Sequence, residues 1–298
     1  MSSMNPIATI RNDSWRDDPH VSEEAVSELE SGRVLYIPDL VFPIEEHEKL
    51  FFEDGFLHLS SKNVSYDPST NEVRGLKSTQ AMTNENKVAL GRMMARYAQF
   101  CRDLCASLLG GYAEQLDIAR TSFRPVEVEG RKSRTVGSDD TLLHVDSFSS
   151  RPMAGRRILR VFTNVSPVGK PRVWNVGEPF EDLAKRFVPR MRQPWLGERA
   201  LLRMLYVTKS YRTLYDHYML HLHDGMKADS EYQRTVPQTR VELAAGATWM
   251  CFTDQVSHAA LSGQHVFEQT FYCDVEQMAR SERSPLKVLE SMIQRPLI

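Results

Sequence analysis

Residues 141–180 read TLLHVDSFSSRPMAGRRILRVFTNVSPVGKPRVWNVGEPF. The stretch opens on an extended tripeptide, His144-Val145-Asp146. Residues i and i+2 of an extended segment project from one face, so the imidazole and the carboxylate can reach a common point. Ile158 to Val165 and Val173 to Val176 follow, rich in branched and aromatic residues, and both read as strands. Pro179 then sits in the first turn of a helix. Downstream, Ala245 to Phe252 reads as a turn and a buried strand that delivers His258 just beyond its end. Thr121 to Val128, Ala247 to Thr253 and Val266 to Asp274 are further strands.

Upstream of these strands the texture is helical. Ser22 to Glu30 has a serine cap, apolar Ala25, Val26 and Leu29, and a terminating Gly32. Val34 to Ile37 is strand-like and Ile44 to Phe52 a short helix. Residues 60–80 read as a loop or ragged hairpin. Asn84 to Leu109 carries the strongest helical period, through Val88, Leu90, Met93, Met94, Tyr97, Phe100, Leu104 and Leu108, and stops at Gly110-Gly111. Residues 179–235 are helical in pattern. The expected class is α+β: an N-terminal helical layer on a β-sandwich barrel, with a helical insertion at about residues 179–235 between barrel strands. Residues 1–18 are expected to be a loose arm and 19–298 a single functional domain.

The 298 residues carry a formal net charge of -2, which excludes the strongly basic field of a bulk nucleic-acid binder. Three basic clusters stand out: Arg131, Lys132 and Arg134; Arg151, Arg156, Arg157 and Arg160; and Lys185, Arg186, Arg190 and Arg192. They are either solvated faces or the rim of a mouth that attracts an anion. Met1 to Ile10 lacks the pattern of a secretory signal, and no apolar run approaches the ~20 residues of a membrane span. A cytoplasmic protein is expected. Cys101, Cys105, Cys251 and Cys273 form no Cys-x-x-Cys pair and read as buried thiols.

Two histidines and one carboxylate form a mixed N/O set suited to Fe(II), which leaves about three coordination positions open. Such a centre would take 2-oxoglutarate and dioxygen, with the protein supplying position and dryness. Spacing alone leaves a second reading open, in which His144 is a histidine on a barrel lip and His258 caps a strand.

The 141–180 stretch resembles the Kdo hydroxylase family, bacterial oxygenases acting on the 3-deoxy-octulosonic acid sugar of lipopolysaccharide. Residues 215–227 and 252–272 resemble it too. The resemblance implies a double-stranded β-helix (jelly-roll, cupin-like) core, iron and 2-oxoglutarate as cofactors, and O2 as co-substrate. It also implies hydroxylation at carbon 3 of a Kdo sugar on Kdo-lipid A, with His144, Asp146 and His258 as metal ligands. That acceptor allows transient contact with the inner-membrane surface, which the basic clusters and the amphipathic tail from Pro285 to Ile298 could aid, although docking on its own domain is the favoured reading of that tail; self-association is open.

Many members of the wider superfamily place an arginine after the distal histidine to bind the far carboxylate of 2-oxoglutarate. Here Glu268, Gln269 and Thr270 stand there. An anion in a dry pocket needs a partner, and Arg160 is the expected one. It shares a face with Arg156, Ile158, Phe162 and Asn164, and its planar guanidinium matches a carboxylate. Arg156 is the reserve, Gln269 a neutral hydrogen-bond donor and Trp174 a pocket wall. Arg151 and Lys170 are expected to contact the acceptor.

Two other functions compete. One is a cupin-like metal- or sugar-binding protein without oxygen chemistry. The other is a zinc hydrolase on His217 and His221, four apart on one helical face, although no glutamate follows His217. The histidine-dense 216–224 segment otherwise hydrogen-bonds within the insertion or lines the substrate entrance.

Overall fold

A computed structural model describes residues 5–10, 19–195, 204–206 and 210–298. The strands among them are β1 (Ile7–Thr9), β2 (Val34–Ile37), β3 (Val64–Asp67), β4 (Glu72–Arg74), β5 (Asp117–Arg124), β6 (Arg157–Asn164), β7 (Arg172–Val176), β8 (Thr239–Leu243), β9 (Thr248–Phe252), β10 (His258–Ser262) and β11 (Val266–Cys273). The α-helices are α1 (Pro19–Glu30), α2 (Asn84–Leu109), α3 (Phe180–Phe187), α4 (Leu214–Ala228), α5 (Ser230–Thr235) and α6 (Pro285–Ile293). A large sheet runs β1-β2-β9-β6-β11-β5-β3-β4 and a small one β10-β7-β8. All pairings are antiparallel except β1 with β2.

The helical layer covers one face of the large sheet. The Thr83 side chain caps α2 by accepting from Asn86 N at 3.1 Å, and Gly110, at φ +54°, ends the helix. Between these signals Leu90, Met93, Met94, Tyr97, Cys101, Leu104 and Leu108 are buried. They pack on Leu159 and Val161 of β6 and Phe267 and Phe271 of β11. Each such side chain contributes about 1.5–3 kcal/mol on burial. The opposite face of the large sheet carries Phe162, Trp249 and Val266, from β6, β9 and β11, which meet Trp174, Val176, Leu243 and Ala260 of the small sheet. A third cluster joins α3, α4 and α6 to Leu143 and Val145, on either side of His144.

Several expectations shift. Residues 7–9, expected in a loose arm, pair parallel with β2, and Arg33 holds this edge through Ile7 O at 2.6 Å. The expected strand 121–128 runs earlier, at Asp117–Arg124, and stops before Pro125, which has no N–H to give a ladder. Within residues 60–80, the hairpin reading holds for β3 and β4, which pair antiparallel. His258 does not trail a strand; it begins β10. β8 was not foreseen, because Thr239, Arg240 and Glu242 are exposed and offer no apolar period. The insertion contains α3, α4 and α5, while residues 196–203 and 207–209 of it lie outside the described residues. The amphipathic tail docks on its own molecule: Leu286, Leu289 and Leu297 are buried against the third cluster. All four cysteines are free and buried.

Candidate metal centre and active site

His144 and His258 are backbone partners in an isolated antiparallel bridge. His144 N donates to His258 O at 3.0 Å, and His258 N to His144 O at 2.9 Å. Directly opposed residues of such a pair project to the same face, and the two rings stand 4.6 Å apart, centroid to centroid. Asp146, two residues on, is fixed by its N–H to Thr253 O at 2.7 Å. One ligand atom from each of His144, Asp146 and His258 lies within 4.8 Å of the others.

The surroundings prepare these atoms for a cation. His144 Nδ1 faces Leu142 O at 2.8 Å and His258 Nδ1 faces Val256 O at 2.8 Å. A carbonyl can only accept, so each Nδ1 carries the proton and each Nε2 keeps a lone pair. Burial pushes the His144 imidazole well below its usual range, and neighbouring His258 adds to this. Burial also lowers His258, with Asp146 opposing. Burial alone would raise the Asp146 carboxyl; the Arg160 guanidinium, with His258 and His144, outweighs it and keeps Asp146 ionised. Arg160 Nη2 lies 3.0 Å from Asp146 Oδ2, while Oδ1 faces His144 Nε2 at 3.8 Å. Two neutral imidazoles and one carboxylate, oriented from behind, fit a divalent transition metal.

The triad opens into a cavity of about 280 Å³. Buried N–H groups that meet no acceptor lie around it: Arg172 Nε, Trp174 Nε1, Trp249 Nε1 and Arg160 Nε. A cavity ringed with unused donors and cations fits a polyanionic organic ligand. Trp174 stacks on the His258 ring at 5.1 Å and walls the cavity.

Arg160 is where the alternation of β6 puts it, on the cavity face, but two acids already hold it. Its second carboxylate is Glu268, at 2.9 Å, which also takes Arg124 at 2.7 Å. Arg172 was not foreseen. It is buried at 4% exposure, and its Nη1 donates to Gly263 O at 2.7 Å. Burial, with Arg124 adding, pushes it down to about 9, so it is still a cation at neutral pH. Gly263 is at φ +102°, and a Cβ there would sit 2.9 Å from Pro171 O, so only glycine presents this carbonyl. Sequence offered one clue, an arginine two residues before Trp174 on the same strand face.

Other expectations separate from the site. Gln269 points to the helical side, where Thr121 Oγ1 donates to it at 2.6 Å and it donates to Ala119 O. Positions 266 and 268 of β11 line the cavity, so 269 cannot. Arg156 is a surface residue paired with Asp117 and Asp274. Arg151, which donates to Tyr272 Oη at 3.3 Å, and exposed Lys170 do not line the cavity. Lys62, Arg124, His223 and Lys227 do. His217 faces Arg192 O at 2.9 Å, and among the described residues His217 and His221 gather no third metal-ligating side chain.

The family model described as 3-deoxy-D-manno-oct-2-ulosonic acid (Kdo) hydroxylase matches residues 12–296. The chain belongs to the Kdo hydroxylase family. It is similar to the crystal structure of the Kdo hydroxylase KdoO, a non-heme Fe(II) α-ketoglutarate-dependent dioxygenase, in complex with α-ketoglutarate and Fe(III). The two are 42% identical over 99% of this chain and 98% of that one, with a TM-score of 0.92. KdoO with cobalt(II) and with succinate and Fe(III) match at the same identity and coverage, with TM-scores of 0.93 and 0.92. Comparison with curated proteins gives no match. Within this hydroxylase family the triad and its donor-lined cavity take on a definite chemical meaning.

Proposed function

We propose that the protein is an Fe(II)- and 2-oxoglutarate-dependent dioxygenase that hydroxylates a Kdo sugar, at carbon 3, on a Kdo-lipid A acceptor. The observation that carries this is the convergence of His144, Asp146 and His258 beside unused N–H donors in one cavity. KdoO, 42% identical, holds iron with α-ketoglutarate or succinate. Strand order supports a double-stranded β-helix core. β5-β11-β6-β9 forms one antiparallel wall, and β10-β7-β8, extended at its edge by His144, forms the other. Residues 19–298 act as one catalytic domain.

His144 Nε2, His258 Nε2 and one Asp146 oxygen would hold the metal. Arg172 would take the far carboxylate of 2-oxoglutarate, because it is a buried cation with no ion pair to an acid among the described residues. Trp174 walls the same ligand. Arg160 forms an ion pair with Asp146 at 3.0 Å and would hold the carboxylate in place beside the two imidazoles. Bound iron and 2-oxoglutarate together supply oxygen activation, with release of succinate and CO2 as the sugar C–H becomes C–OH. The chain contributes neutral imidazoles, a fixed carboxylate and a cavity lined with hydrogen-bond donors. No helix of the described residues is long and apolar enough to cross a membrane, and a lipid-linked acceptor would be met at the membrane surface.

The test is 2-oxoglutarate-dependent succinate release with Kdo-lipid A as acceptor, alongside anaerobic Fe(II) binding. Wild type is expected to bind one iron and release succinate, and His144→Ala to do neither. Succinate release unchanged by His144→Ala would overturn the reading. A metal-binding protein without oxygen chemistry would bind iron but show no 2-oxoglutarate dependence.

A further inference from the structure

Five cations line the cavity: Lys62, Arg124, Arg160, Arg172 and Lys227. Three are committed to acids. Lys62 reaches both oxygens of Asp140 at 3.0 Å, Arg124 pairs with Glu268, and Arg160 with Asp146 and Glu268. The other two bond to single backbone carbonyls, Arg172 to Gly263 O and Lys227 to Gly137 O at 2.9 Å. A buried cation held only by a carbonyl is electrostatically incomplete. Two cations are thus open in a cavity that, on the proposed function, must receive two carboxylates: that of 2-oxoglutarate and that of the acid sugar.

Their places in the fold divide them. Arg172 stands on β7 between the sheets, four residues along the strand from Val176, which pairs with His258. That is deep in the barrel. Lys227 comes from α4, outside both sheets, whose other face is buried through Tyr218, Leu222 and Met226. α4 is firmly placed. Thr213 and Asp216 form its capping box, and Asp216 Oδ1 also accepts from Met153 N at 2.6 Å and Ala154 N at 3.0 Å. It therefore sits pinned to the loop that follows Asp146. Lys227 lies in its last turn, where a cation suits the helix end. His223, one turn earlier on the same face, turns its ring edge-on to His144 at 5.5 Å. Its Nδ1 donates to Asp224 Oδ1 at 2.9 Å, which turns Nε2 to the cavity as the ring atom left for a ligand.

We propose that Lys227 and His223 are the acceptor-binding residues: the Lys227 ammonium takes the carboxylate of the sugar acid, and His223 Nε2 pairs with a sugar hydroxyl. This rests on the oxygenase reading of the cavity. It places the acceptor on the helix side of the metal triad, opposite the deep pocket assigned to 2-oxoglutarate. A neutral or esterified sugar would leave Lys227 without its partner, so the pair also selects for an acid sugar.

The test compares wild type with Lys227→Met, Lys227→Arg and His223→Ala. Anaerobic titration of the Fe(II)-loaded proteins with 2-oxoglutarate, followed by the charge-transfer band, reports the deep pocket. Calorimetric binding of Kdo-lipid A in detergent micelles, and of free Kdo against its methyl ester, reports the acceptor side. Lys227→Met is expected to keep the 2-oxoglutarate Kd within about twofold and to weaken acceptor binding about 10- to 100-fold, the weight of a charge-assisted hydrogen bond. It should also lose the preference for the free acid over the ester. Lys227→Arg should restore most of the binding, and His223→Ala should weaken the acid and the ester equally. A raised 2-oxoglutarate Kd with acceptor binding intact in Lys227→Met would overturn the assignment, as would an unchanged acid-to-ester preference. If wild type itself develops no charge-transfer band, the oxygenase reading fails; a normal band with no effect of Lys227→Met defeats only the acceptor assignment.

Discussion

Arg157 and Arg160 stand three residues apart on β6, both enclosed by protein, and their surroundings differ in kind. Arg157 is fully buried against Asp254, with Nε 2.7 Å from Oδ2, and its Nη2 donates to Gln255 Oε1 at 2.7 Å. Its guanidinium lies 3.9 Å from the centre of the Phe252 ring. Asp254 in turn accepts from Ile158 N. Every charge there has an answer within the chain. Arg160 faces two acids, Asp146 and Glu268, keeps one N–H unused, and opens onto the cavity. One arginine closes a network and the other leaves one open. Burial by itself does not separate structure from function; the count of unanswered groups does.

Arg157→Met should give the largest effect on folding. It strands the Asp254 carboxylate, whose protonation burial already favours, and should cost about 3–5 kcal/mol in urea unfolding. The fraction that stays folded should bind iron normally. Weakened iron binding with stability intact would erase the distinction between the two arginines.

Arg160→Leu should do the reverse. Iron affinity should fall about 10- to 100-fold, as when an outer-shell partner of a metal ligand is lost. Stabilisation by a bound ion follows its affinity, so added Mn(II) should raise the melting temperature less than in wild type. Equal metal stabilisation in both would sink the positioning role.

The open site should also respond to acid. His144 and His258 titrate below their unfolded value of 6.5 in the folded protein. Below pH 6.5 the unfolded chain takes up protons that the folded imidazoles refuse. The metal-free protein therefore loses stability as pH falls through 6.5, by up to about 1.4 kcal/mol per imidazole for each unit. Thermal melts of metal-free wild type and His258→Leu, from about pH 7.5 to about pH 5.5, should show the steeper decline in wild type. Parallel curves would count against neutral imidazoles.

Gln269→Leu should give the smallest effect. Its amide sits in a closed network with Thr121 and Ala119, so its loss should cost about 1–3 kcal/mol of stability. The 2-oxoglutarate Kd should not change. A raised Kd would return Gln269 to the cavity.

Much of this was legible in the chain. The α2 boundaries, Asn84 and Leu109, follow from a cap, a helical period and a glycine stop, all local signals. The shared face of His144 and Asp146 follows from the two-residue period of an extended segment, and so does the cavity-facing side of Arg160. β1 and β8 left no such mark. β1 has three residues, and β8 turns polar side chains to solvent. Gln269 was misplaced by one step of alternation, which moves a side chain to the opposite face.

The sequence by itself determined the ligand types, the local pairing of His144 with Asp146, the helical layer and the family. Tertiary structure decided how the His258 imidazole, already named from the sequence, meets them, because the His144–His258 bridge depends on the register between segments more than 110 residues apart. It also decided which cations remain open. Arg160 and Arg172 look alike in a strand; only the fold brings two acids to the first and one carbonyl to the second. Charge compensation acts across space, and a linear pattern records only the charges to be compensated.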